Sequence, residues 1–212
     1  MTPAFTLVRL LILVSGSGSN AEKIWDYFKG HLRIQVVGWA CNRRGAGAFD
    51  RAAMLGAPIQ QLYDLTDPEG DFANFIQQEQ INGIVLAGFL QKIPDWLIDA
   101  FPGQILNIHP ALLPKFGGKG MYGMHVHRAV LDAGETESGI TIHEVNDRYD
   151  EGRIIAQFRC DVNSNQTPED LALQIQKLEH AHFPEVVESH FEKLYRLAHQ
   201  PTHQPSKKNQ NP

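Results

Sequence analysis

Over its first half the chain repeats one unit: a short apolar run, then a stretch with helical spacing, then another apolar run. The apolar runs fall at 9–15, 33–42, 57–63, 81–89 and 103–109, and helix signals fill 21–28, 47–56, 71–80 and 93–101. The runs are rich in Val, Ile and Leu with little polar alternation, the pattern of strands buried on both faces. Strands that alternate with helices in this way form parallel sheets. The spacing predicts an α/β fold: a single-domain, Rossmann-like, doubly wound, mostly parallel sheet with helices on both faces.

After Pro114 the pattern changes. Residues 115–124, "KFGGKGMYGM", read as an irregular Gly-rich loop, and 126–134 as a helix closed by Gly134. Two β-rich runs, 138–145 and 153–162, flank "NDRYDEG", which is long for a tight turn and reads as a working loop. The stretch 167–195 reads as a long helix with Thr167 as N-cap, Pro168 next, Asp170 in the first turn and a bend at Pro184. The expected organisation is an N-terminal extension over 1–8, one domain over 9–199 and a disordered tail over 200–212, where the sequence is polar and proline-bearing. A length of 212 residues suits one large domain.

Charge and cysteine usage narrow the function. Lys plus Arg is 19 against 24 Asp plus Glu, a net charge of −5, so no basic surplus points to nucleic acid. Cys41 and Cys160 make no disulfide framework, which fits a reducing compartment. The apolar "LVRLLILV" holds Arg9 and ends at Val14, too short for a membrane span. The Gly-rich loop that follows at once favours a buried first strand over a signal segment. The expectation is a cytoplasmic protein with no membrane partner.

Two stretches concentrate chemistry. In "ILNIHPALLPKFGG", Ile105 to Gly118, prolines end the strand just after Asn107 and His109. Residues two apart in a strand share a face, so an amide and an imidazole stand together where open α/β sheets bind ligands. "SGSGSN", Ser15 to Asn20, follows the first strand and opens the first helix, the setting in which oriented backbone N–H groups bind phosphate. Gly16, Gly18 and Ala21 fit a dinucleotide fingerprint, but Asn42, Arg43 and Arg44 stand where its acidic residue belongs. A plain Gly/Ser turn is the alternative for this loop, a packed histidine for His109 and an ordinary turn for Asp150. His125, His127, His143 and His180 lack metal-ligand spacing, and no H-E-x-x-H or C-x-x-C occurs, so no metal is expected.

The stretches "SGSGSN", "LAGFLQKIP", "NIHPALLPKFGG" and "SGITIHEVNDRYDEGRII" together resemble the folate-dependent formyltransferases, and the resemblance runs from about Val8 to about Tyr195. It implies transfer of a formyl group from 10-formyltetrahydrofolate, as co-substrate and without a metal, to an amine. Within the family the "GSGSN" loop is similar to that of members acting on glycinamide ribonucleotide, which implies de novo purine biosynthesis. Asn107 matches the amide that donates to the tetrahedral intermediate's oxygen, His109 the proton donor, and Asp150 the aspartate that raises the histidine's pKa and would keep it protonated near neutral pH. Ser17, Gly18, Ser19 and Asn20 match the phosphate loop, and Glu179 a glutamate that holds the nucleotide substrate. Leu90, Gln91, Lys92 and Ile93, with Asn107 and with Asp147 in the "NDRYDEG" loop, match the folate site. His143 matches a histidine near the active site. The chain departs from the family in having Gln91 and Lys92 where an arginine often stands, in a longer link after "LLP", and in its tail. The implied partners are the two small molecules, with a homodimer left open. The alternatives are another folate-dependent formyltransferase acting on a phosphorylated amine, such as a sugar nucleotide, and a non-catalytic dinucleotide-binding domain.

Overall fold

The computed structural model describes residues 7–62 and 64–198, so the expected tail and most of the N-terminal extension lie outside the described residues. The elements in order are β1 (Val8–Val14), α1 (Ser19–Tyr27), β2 (Ile34–Cys41), α2 (Gly47–Leu55), β3 (Ile59–Gln61), α3 (Asp71–Gln78) and β4 (Gly83–Leu86). There follow α4 (Asp95–Ala100), β5 (Ile105–His109), α5 (Met124–Asp132), β6 (Glu137–Glu144), β7 (Ile154–Asp161) and α6 (Pro168–Ala198). The sheet order is β3-β2-β1-β4-β5-β6-β7. Pairs from β3 through β5 are parallel, and β5–β6 and β6–β7 are antiparallel. This is the mostly parallel, doubly wound α/β sheet that the sequence predicts.

β1 shows why its sequence is apolar without a break. Leu10, Ile12 and Val14 pack into one core with α1, α2, α5 and α6, through Ile24, Ala52, Val130 and Phe183. Leu11 and Leu13 pack into a second core with α3 and α4, through Phe72, Ile76 and Leu97. Alternate side chains thus serve opposite faces. Arg9 is the exception in this run: it lies near the amino end of the strand, where its guanidinium pairs with Glu79 at 3.0 Å.

Most boundaries lie within two residues of the sequence reading, and three differences stand out. The apolar run 81–89 carries a strand only from Gly83 to Leu86. At Gly88 the chain takes a positive φ of 73° and its carbonyl turns to accept the Ser15 N–H, which ends the pairing. α5 begins at Met124, so the helix takes in His125 and His127. α6 continues through Pro184. Its start is the expected cap: Thr167 Oγ1 accepts the Asp170 N–H at 3.1 Å, and the Asp170 carboxylate accepts the Thr167 N–H at 3.0 Å. Among the described residues no helix is long and apolar enough to cross a membrane.

β1 leads to β2 and β3 on one side, while β4 leads to β5 on the other, so the winding reverses between β1 and β4. The loops leaving their carboxyl ends part there, and a crevice opens. β4 is held close beneath α6 at Gly83, where an added Cβ would stand 2.5 Å from both Leu10 Cδ2 and Phe191 Cε1. Overpacking of this kind costs about 1–3 kcal/mol. Gly83→Ala is therefore expected to lower Tm by several degrees in a thermal melt, and adding Phe191→Leu is expected to recover part of the loss.

Candidate active site

At the carboxyl end of β5, His109 is almost fully buried. Its Nε2 lies 2.8 Å from the Phe116 carbonyl oxygen. A carbonyl only accepts, so Nε2 carries the hydrogen. Nδ1 then faces the Asp150 carboxylate, 3.5 Å away. Asp150 stands in the 146–152 loop between β6 and β7 with a φ of +58°, a backbone conformation that costs a non-glycine residue about 1–3 kcal/mol. Its Oδ2 accepts the Gly118 N–H at 2.8 Å. Phe116 and Gly118 belong to the segment after "HPALLP", so one loop holds both the histidine and the carboxylate.

Asn107 is the half-buried residue two positions back. In the antiparallel register it pairs with His143 of β6. His143 Nδ1 lies 2.8 Å from the Glu144 carbonyl and so donates to it. Its Nε2 is left as an acceptor and takes a hydrogen from Asn107 Nδ2 at 3.0 Å. This fixes the amide's orientation and leaves its second N–H free to donate.

The electrostatics correct one expectation. Asp150 does raise the pKa of His109, but burial lowers it more, and the net shift is downward; the Phe116 carbonyl also raises it, and His143 lowers it. The sequence shows the carboxylate but not how dry the pocket is. In the ligand-free protein at neutral pH the ring is therefore mainly neutral. For Asp150 itself burial acts upward, yet the net shift is downward: the ring of His143 or of His109, when it carries a proton toward the carboxylate, and the Gly118 N–H favour the charged form.

His109 borders a cavity of about 400 Å3 whose lining includes residues 16–20, Gly88, Tyr122, His127, Gln176 and Glu179. α1 starts here, with Gly18 as a left-handed N-cap and no side-chain cap. The first N–H groups of a helix have no partner within it and favour an anion. A Cβ on Gly18 would meet Trp39 at 3.1 Å and Ala48 at 3.2 Å, so the glycine serves backbone geometry and packing against the protein. Ser17, Ser19 and Asn20 also line this cavity. Asn20 donates to the Glu179 carboxylate at 2.9 Å. Burial pushes the Glu179 carboxyl up, and the Asn20 amide opposes that shift.

Asn107 and Asp150 border a second cleft. It is lined by Gln91, Lys92, Ile93 and Asn107, and by Asn146, Arg148 and Tyr149 from the long loop. Leu90 borders the first cavity instead, and Asp147 is exposed and lines neither. The two clefts are tied together behind the site. Ser15 Oγ donates to Asn42 Oδ1 at 2.7 Å and accepts the Leu90 N–H at 3.0 Å, and Asn42 Nδ2 reaches Gln91 Oε1 at 3.3 Å. Asn42 thus occupies the dinucleotide acid's place with an inward, structural task. Tyr122 and Gln176 were not legible as site residues, nor was the bond between Ser15 and Asn42, because only the packing of separate loops brings these groups together.

Among the described residues, one group of side chains has metal-ligand proximity: His31, Glu188 and Glu192, away from the crevice. His31 Nδ1 accepts the Ile34 N–H at 2.9 Å, so Nε2 bears the hydrogen that goes to Glu188 at 3.0 Å, and no ring lone pair is left for a cation. His125, His127, His143 and His180 form no such group.

The model of the formyl transferase family matches residues 8–187. Over 187 residues the chain is 42% identical to a chloroplastic phosphoribosylglycinamide formyltransferase of Arabidopsis thaliana, covering 84% of this chain and 64% of that protein. A similar protein of Vigna unguiculata is 41% identical with 60% of its length covered, so the chain spans somewhat under two thirds of these plant relatives. It is 30% identical to the phosphoribosylglycinamide formyltransferase of Escherichia coli strain K12, covering 85% of each. The crystal structure of phosphoribosylglycinamide formyltransferase from Bacillus halodurans superposes with a TM-score of 0.77 at 32% identity, over 91% of this chain and 100% of that one.

The buried histidines make stability depend on pH. Burial lowers the pKa of His109, of His127 in α5 and of His190 in α6; the Gly103 carbonyl, which accepts His190 Nε2–H at 2.8 Å, pulls His190 the other way. The native pKa values lie below the unfolded one, so on acidification the unfolded chain takes protons first. The contribution is intact above the unfolded value and is lost as pH falls through about 6.5 towards the native values. Tm is expected to be level from pH 8 to pH 7 and to fall below about 6.5. In His190→Gln, whose amide can still donate to Gly103, the fall is expected to be shallower. Thermal melts over pH 8 to 5 check both.

Proposed function

This chain belongs to the formyl transferase family, and we propose that it transfers the formyl group of 10-formyltetrahydrofolate to the amine of 5'-phosphoribosylglycinamide. The observation that carries this reading is the meeting of two clefts at Asn107, His109 and Asp150. The cleft that opens on the helix N-terminus of residues 16–20 suits the substrate phosphate, with Glu179 behind it. The cleft of residues 91–93 and the 146–152 loop suits the pterin of the formyl donor, with Asn107 at the boundary. Names of relatives point the same way: the Escherichia coli and plant proteins are phosphoribosylglycinamide formyltransferases.

The chemistry follows from the hydrogen-bond chain. The substrate amine attacks the formyl carbon, and charge develops on the formyl oxygen. Asn107, held by His143, donates its second N–H to that oxygen. The attacking nitrogen must lose a proton, and the departing folate nitrogen must gain one. His109 starts neutral and holds the travelling proton at Nδ1, the nitrogen not committed to Phe116, where Asp150 stabilises the charged ring. Collapse of the intermediate breaks the bond to the folate nitrogen and leaves the formyl group as an amide. We place the enzyme in the cytoplasm, the two plant relatives being chloroplastic; Cys41 and Cys160 are free thiols, which suits a reducing compartment.

His109→Ala is expected to lower kcat by roughly 10²–10⁴-fold, the usual cost of losing one general acid or base. The Kd of each ligand is expected to hold within a few-fold, measured by calorimetry beside a turnover assay for released tetrahydrofolate. Near-wild-type turnover in His109→Ala would falsify the assignment. Equal turnover with a sugar-nucleotide amine would move the acceptor to the second family reading, and tight NAD binding without turnover would favour the dinucleotide one. Asp150→Asn removes the group that raises the His109 pKa, so the acid limb of the kcat profile is expected to move to lower pH as the rate drops.

A further inference from the structure

β5, β6 and β7 carry a polar row across their antiparallel register: His109 pairs with Thr141, and Thr141 with Gln157. Thr141 is fully buried, and its hydroxyl uses its whole capacity. It donates to the Ala111 carbonyl at 2.7 Å, and it accepts the Leu113 N–H at 3.0 Å and Gln157 Nε2–H at 2.9 Å. The other hydrogen of that Gln157 amide goes to the Leu113 carbonyl at 2.9 Å. Both partners of the amide need a donor there, which fixes its orientation. Residues 111–113 are therefore tied to β6 and β7 by three bonds, every one from Thr141 or Gln157, and a fourth joins Gln157 to Thr141.

The tied segment leads within three residues to Phe116, whose carbonyl sets the hydrogen on His109 Nε2, and then to Gly118, whose N–H holds Asp150. Phe116 has a φ of +57°, a conformation that persists only where its surroundings impose it. We propose that Thr141 and Gln157 are positioning residues of this enzyme: by clamping the 111–113 segment they hold the Phe116 carbonyl against His109 and so keep the imidazole in the Nε2–H tautomer with Nδ1 free. Neither side chain touches the catalytic atoms. The kinetic part rests on the formyl-transfer reading; the tautomer part does not.

The test is ¹⁵N NMR of the histidine rings in the full-length free protein, with His109 assigned by its disappearance in His109→Ala, beside kcat and ligand Kd values. In wild type His109 is expected in the Nε2–H form. In Thr141→Val a mixture of tautomers is expected, with kcat down by roughly tenfold or more and both Kd values within about twofold, as for a group acting through orientation. Thr141→Ser, which restores the hydroxyl, is expected to recover both signals. Gln157→Leu removes the outer bonds from a partly exposed position and is expected to show the same change in smaller degree, so a poorly folded Thr141→Val leaves the test intact. Unchanged tautomers in Gln157→Leu and in any folded Thr141→Val overturn the proposal, as does failure of Thr141→Ser to recover them. A mixed tautomer in the variants with no formyl transfer by wild type overturns the functional reading instead, and leaves the clamp standing.

Discussion

His109 cannot satisfy its surroundings in a single charge state, and much of the site is arranged around that conflict. Its Nε2–H is spoken for by Phe116, and its Nδ1 looks at a carboxylate 3.5 Å away. A carboxylate beside a bare nitrogen lone pair is an unfavourable neighbour, and protonation would relieve it. Burial opposes protonation. Burial prevails in the resting site, and Asp150 limits how far the pKa falls. A fully exposed histidine would lack the ordered partners, and one buried without Asp150 would resist the charge altogether.

The sheet supplies this balance by changing direction. Its parallel half ends in loops that open the crevice, one carrying the helix N-terminus at 19–21 and one the 87–93 segment. Its antiparallel half contributes cross-strand pairs, Asn107 with His143 and His109 with Thr141. Parallel strands alone would present only their ends to a ligand. The added antiparallel strands bring the side chains of a second and third strand level with β5, so that β5's own polar residues are held from the side. Two clefts and one polar row then meet in a single place.

The fold was legible because burial on both faces of a parallel strand leaves a mark within each segment, as in the unbroken run at 8–14. Asn107 and His109 were legible for the related reason that alternation puts them on one face. Thr141 and Gln157 were not, because the register between strands is a property of pairs and is written in neither. The sign of the shift on His109 was missed for a similar cause: Asp150 is visible in the sequence, while the packing that dries the ring comes from β5 and α5 together with the loop. In the long loop between β6 and β7 the resemblance pointed to Asp150 and Asp147; Asp150 lines the cleft, with Asn146, Arg148 and Tyr149 that it did not single out, and Asp147 does not.

The bond from Ser15 to Asn42 bears on the history open to this chain. Folds of this type take up dinucleotides with an acidic side chain at the end of the second strand, turned outward to a ribose. Here that position faces inward, and its amide both accepts from Ser15 and donates to Gln91. Exchanging the amide for a carboxylate would keep the Ser15 bond and take away the donor to Gln91, whose own amide would have to turn about to restore the contact. The single substitution that converts one nucleotide preference to the other on paper would therefore loosen the joint between the two clefts before it created a new ribose contact. A carboxylate gained at position 42 would thus act first on the joint, at position 91, and only then on any ligand.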